Sequence, residues 1–113
     1  MNMKKTLTIL LFSVLLGIGS VYYMIHPEYY YVKITTDGKL DNDYNEKVYS
    51  YKLKGYNENG TEKNLDFSTH PDLQRPFKKD AYLKITYTNW KKVNGYEEIK
   101  RSEVPQKALN NLK

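Results

Sequence analysis

The chain has 113 residues, a formal net charge of +5, twelve tyrosines and no cysteine. That length holds one domain, and the missing thiols exclude disulfides, thiolate metal sites and a cysteine nucleophile. Lys4 and Lys5 sit in an apolar leader, so the remainder carries sixteen basic against thirteen acidic side chains; the two signs alternate instead of gathering on one face, which argues against a nucleic-acid partner.

The leader, residues 1–25, has two lysines followed by an uncharged run from Thr6 to Ile25. This is the pattern of an export or membrane signal, and the lysines keep the N-terminus in the cytoplasm, so that residues 26–113 lie outside. Two fates remain open. Gly17-Ile18-Gly19 before Ser20 loosely fits a cleavage site, whereas the run from residue 6 to 25 just reaches the ~20 apolar residues of a membrane anchor. Either way the protein is expected to be extracytoplasmic, secreted or held at the outer face of the cytoplasmic membrane. With no cysteine to carry acyl chains, it is not expected to be a lipoprotein.

His26-Pro27 ends the leader helix, because proline lacks an N–H and restricts the residue before it. "YYYVKITT" then alternates Tyr30, Val32 and Ile34 with Tyr29, Tyr31, Lys33 and Thr35, a first strand with one face inward. Asp37 to Lys47 is rich in Asp, Asn and Gly and reads as a loop or irregular edge. "VYSYKLKGY" predicts a second strand with Tyr49, Tyr51 and Leu53 inward. Asn59-Gly60 can take the positive backbone angles of a tight turn into a third strand, with Leu65 and Phe67 inward. "HPDLQRPFKKD" has no period and is expected to connect to a fourth strand, "AYLKITYT", with Leu83, Ile85 and Tyr87 inward. A turn at Asn94-Gly95 leads to a short fifth strand containing Ile99. "SEVPQKALNNL" predicts a terminal helix, with Ser102 ahead of it, Pro105 in its first turn and Leu109 among its apolar contacts. The expected fold is mainly β: a five-stranded OB-like β-barrel with a short C-terminal helix, or, failing closure, a meander sheet with a packed helix.

Four segments, "YYYVKITTDGK", "YSYKLKGYNENGTEKNLDF", "AYLKITYT" and "YEEIKRSEVPQKAL", resemble the YxeA family of small exported proteins of Gram-positive bacteria. The likeness runs from Tyr29 to Leu112. It implies an OB-like barrel outside the cytoplasmic membrane and names no chemistry, the family being uncharacterised. This chain departs from members with a lipoprotein-type leader by having no cysteine.

Residues for catalysis are sparse. Ser68, His70 and Asp72 lie close in sequence, but strand end and turn explain them better than a triad. The chain has two histidines, His26 and His70, and neither has a second ligand at metal spacing. Asp37, Asp41, Asn42 and Asp43 lack the order of a calcium loop. Glu97 and Glu98 point to opposite faces of a strand. No enzyme activity, metal or cofactor is expected. Binding is the more credible class, since OB-like barrels use the face of their second and third strands as a platform. Its candidates are Lys52, Lys54, Tyr56 and Lys63 from those strands with Tyr82, Lys84 and Trp90 from the fourth strand and its turn. The expected partner is an envelope component or a membrane protein, met by a monomer. In the alternative, an accessory subunit is retained by its leader beside a transporter or envelope-stress sensor.

Overall fold

The computed structural model describes residues 3–41 and 47–112. Asn42 and Asp43, weighed above against a calcium loop, lie outside the described residues. The helix α1 spans Met3–Ile25 and buries none of its residues. At 1.5 Å per residue it is about 34 Å long, long and apolar enough to cross a bilayer.

Among the described residues six antiparallel strands follow: β1 (Glu28–Lys33), β2 (Lys39–Asp41), β3 (Val48–Tyr56), β4 (Glu62–Ser68), β5 (Tyr82–Thr88) and β6 (Lys92–Ile99). They form one sheet in the order β2-β3-β1-β5-β6, with β4 on the other edge of β3. The extra strand is β2, from the stretch expected to be irregular. Its three residues are all exposed and pair with the start of β3, Lys39 opposite Ser50 and Asp41 opposite Val48.

The first core lies on the sheet's concave side and contains Tyr30, Val32, Ile34, Tyr51, Leu65, Phe67, Phe77, Leu83 and Ile85, with Tyr49, Leu53 and Tyr87 packed against it. Alternation along the strands puts all of these on one face except Phe77, which the connection before β5 brings to it. Gly38 takes φ +71°, and a Cβ there would stand 2.7 Å from the Tyr51 ring, so the turn before β2 needs a residue without a side chain.

The second core was not foreseen as a layer. A 3₁₀ turn (Arg101–Glu103) and a single helical turn, α2 (Gln106–Leu109), lie against the convex face. Val104, Ala108 and Leu112 are buried there against Tyr31, Tyr56, Tyr82, Ile99 and Leu109. The residue ahead of α2 is Pro105, in place of the expected Ser102. All of this burial falls between Tyr30 and Leu112, so the domain has its cores without α1.

Three expectations are corrected. No ladder joins β4 to β6 among the described residues, so the sheet is open and not a closed barrel. The gap is filled by the 3₁₀ turn Pro71–Leu73 and the chain after it: Tyr96 on β6 accepts the His70 N–H at 2.9 Å, and its ring meets Phe77 edge-on at 4.9 Å. The last hairpin turns at Asn89–Lys91, while Asn94 and Gly95 lie inside β6. Turning at Asn94-Gly95 would remove Val93 from the strand that packs it on the core. Finally, the hairpin between β3 and β4 is closed by a wider turn than the tight one expected. Asn57 Oδ1 accepts the N–H groups of Asn59 and Thr61, and Gly60, not Asn59, takes positive φ, as in a three-residue hairpin loop.

Candidate binding site at the membrane-proximal end

The sheet's direction brings three pieces of chain to one end. β1 starts where α1 stops; β5 runs antiparallel to it, with Glu28 opposite Tyr87, and so does β3, with Tyr31 opposite Tyr56. The β3–β4 and β5–β6 turns therefore both return to the end of α1.

The joint with α1 has a specific cause. The last carbonyls of a helix have no partner within it, and Pro27 has no N–H to give to Tyr23, four residues back. Asn89 Nδ2 donates to the Tyr23 carbonyl instead, at 3.0 Å. The Trp90 N–H donates to the next carbonyl, that of Met24, at 2.9 Å. The β5–β6 turn is thus the C-terminal cap of the leader helix.

Beside this joint an open cleft of about 220 Å³ lies between the start of β1 and the β3–β4 turn, lined by His26, Glu28, Tyr29, Tyr31, Asn57 and Asn59 among others. Tyr29 is 44% exposed, and the Lys84 ammonium stands 4.4 Å from its ring centre, a cation–π geometry. The His26 ring stacks on Tyr22 at 4.7 Å. The cleft therefore offers aromatic faces, side-chain amides and the Glu28 and Glu58 carboxylates, with the Lys84 ammonium against the Tyr29 ring beside it, a set suited to polar, hydroxyl-bearing polymers.

The seven residues expected to form one binding face do not do so. Lys84 joins the cleft through Tyr29, and Trp90 sits in the turn that caps α1. Tyr56 and Tyr82 are outward on their strands but covered by the C-terminal segment. Lys63 shares its parity with Leu65 and Phe67 and lies on the concave side, its ammonium 3.8 Å from the Tyr87 ring centre and 5.4 Å from that of Tyr30. Lys54 is exposed and bonded to Glu62 at 2.9 Å; that carboxylate holds its ammonium pKa above the ordinary value. Lys52 is exposed opposite Asp66, on the edge away from the cleft. Sequence reasoning missed His26, Asn57 and Asn59 as site residues, because only the antiparallel return of β3 brings them together.

Other titratable groups are explained by the fold. Burial pushes the Tyr30 hydroxyl up to about 12, helped by its bond to Glu28 at 3.0 Å. Tyr51 is raised by burial as well. His70 Nδ1 accepts the Asp72 N–H at 3.2 Å and so caps the 3₁₀ turn. Among the described residues no group of three His, Cys, Asp or Glu side chains is placed to hold a metal.

A family model described as a protein of unknown function, DUF1093, matches residues 23–102. The crystal structure of a DUF1093 family protein from Bacillus subtilis is similar, with a TM-score of 0.66 and 28% identity, covering 78% of this chain and 92% of that one. The solution structure of a membrane associated protein from Bacillus cereus has a TM-score of 0.62 and 34% identity, covering 78% of this chain and 85% of the other. No curated protein matches the chain.

Proposed function

We propose, from the premise that this chain belongs to the DUF1093 family of proteins of unknown function, that it is a non-enzymatic extracytoplasmic binding module retained at the cytoplasmic membrane by α1. The observation that carries this reading is the joint: the domain supplies the two donors that the end of α1 lacks. A cut before Ser20 would leave Tyr23 and Met24 on the mature chain but reduce α1 to Ser20–Ile25, fewer than two turns, so a two-donor cap is of most use where the whole helix is kept. The similarity to a Bacillus cereus protein named as membrane associated supports the same location, and this reading takes α1 as the tether. The narrower YxeA reading rests on the four segments that carry the resemblance, and the OB-like one on the strand order, in which β1 pairs with both β3 and β5.

The cleft beside the joint is the binding site in this reading, and an envelope polymer rich in hydroxyl groups is its ligand class, since the Glu28 and Glu58 carboxylates in the lining accept from hydroxyls and repel anions. Tyr29 provides the stacking face and Lys84 the charge. Each contact of this type is worth about 1–3 kcal/mol, so Tyr29→Ala with Lys84→Ala is expected to reduce retention of the full chain on isolated cell wall at least about tenfold. Retention equal to that of the parent, with an unchanged unfolding transition, would remove the cleft from the proposal.

A further inference from the structure

The β5–β6 turn carries more than a cap. Trp90, the chain's one tryptophan, bonds α1 through its backbone while its side chain is 67% exposed, next to Tyr22 at 61% and Tyr23 at 66% on the last turns of the helix. Tyrosine and tryptophan are enriched where a membrane-spanning segment meets the headgroups. Lys91 and Lys92 follow, both exposed, at the level where lysines gain from anionic lipid.

Lys92 adds a second observation. It adopts φ +61°, a left-handed conformation that glycine reaches without strain and lysine does not. Its ammonium stands 6.0 Å from the Tyr87 ring centre, at the outer limit of a cation–π contact, and the side chain is otherwise open to its surroundings; asparagine or glycine in that place would ease the turn, yet the chain has a cation there.

We infer that the turn Asn89–Lys92 is a membrane-contact site of the domain, with Trp90 seated at the headgroup level and Lys91 and Lys92 on anionic lipid phosphates. The inference rests on the retained-anchor reading for its geometry. The bilayer fits better than a soluble partner because the turn is tied to the helix end, which fixes its depth. It gives the tethered domain a second foothold, so that the cleft beside it faces along the membrane surface and does not swing freely.

Trp90 is its own probe. The full-length chain is reconstituted into vesicles of phosphatidylcholine with phosphatidylglycerol; no signal peptidase is present, so the result is independent of the leader's fate in the host. Trp90 emission is expected to shift to shorter wavelength, to be quenched by lipids brominated near the headgroup, and to be shielded from acrylamide. Lys91→Glu with Lys92→Glu is expected to reverse these changes in the anionic vesicles without altering the unfolding transition. Lys92→Gly is expected to leave that transition unchanged or raised while weakening the lipid quenching. Emission and acrylamide quenching like those of a water-exposed indole in the vesicle-bound parent would overturn the inference, as would a double variant indistinguishable from the parent.

Discussion

Tyr51→Ala is expected to destabilise the domain by about 3–5 kcal/mol, the range for deleting a large buried aromatic ring. Tyr51 is 2% exposed. Its ring stacks on Phe67 at 5.5 Å and tilts against Phe77 at 5.3 Å. Gly38 packs so closely on the opposite side that no side chain fits there. The surroundings cannot collapse into the space, since strand β3 is held by β4 along one edge and by β1 and β2 along the other. Small domains hold only about 5–15 kcal/mol in total, so this variant is expected to be close to unfolded at room temperature. Tyr51→Phe isolates the hydroxyl, which accepts the buried Phe77 N–H at 3.0 Å. Leaving that donor unpaired costs about 1–3 kcal/mol. Urea denaturation followed by circular dichroism checks both; equal midpoints for Tyr51→Ala and the parent would mean that this cluster is not the core.

Ala108→Asp is expected to have the second largest effect, with a different outcome. Ala108 is fully buried between α2 and the convex face, and a carboxylate there has neither room nor a partner. Burying an uncompensated charge costs more than about 3 kcal/mol. Val104, Ala108 and Leu112 pack in the second core and not in the first, so this segment can detach and leave the first core intact. The loss is therefore limited to what docking of Val104, Ala108 and Leu112 contributes, about 2–4 kcal/mol once the ordering of the segment is subtracted. Hydrogen exchange is expected to show residues 104–112 unprotected while β1, β3 and β5 stay protected. Global unfolding instead would show that the two cores are one cooperative unit.

These two cores differ in how far the sequence announces them. The first follows from alternation: Tyr30, Val32 and Ile34, then Tyr51, then Leu65 and Phe67, then Leu83 and Ile85 can be picked out by period alone. Phe77 cannot, because it comes from an aperiodic, proline-bearing connection that folds over the concave face. Lys63 shows a rule misapplied, since its spacing from Leu65 and Phe67 places it on the concave side. Tyr56 and Tyr82 show a rule that is correct and insufficient. They do point outward from their strands, and a C-terminal segment that no local pattern positions then covers them. Asn94-Gly95 is a strong local turn signal that the tertiary structure overrides, to keep Val93 on the core. The joint was least legible of all, for Asn89 and Tyr23 are 66 residues apart. Only the missing donor of Pro27 is visible in the chain beforehand, and a missing donor does not say what replaces it.

The two fates of the leader leave the cap different lengths of helix to hold. In the retained form the end of α1 and the β5–β6 turn satisfy each other, and Trp90, Tyr22 and Tyr23 share one level. A cut before Ser20 would keep Tyr23 and Met24 but leave only the last two turns or fewer of α1 for the cap to hold.

Intact-mass measurement of the protein purified from the membrane fraction of its native host tests retention most directly. A mass reaching through α1 to the N-terminal methionine, with the protein recovered in membranes, is the expected result. A mature chain beginning near Ser20 or Val21 and recovered from the medium would contradict it.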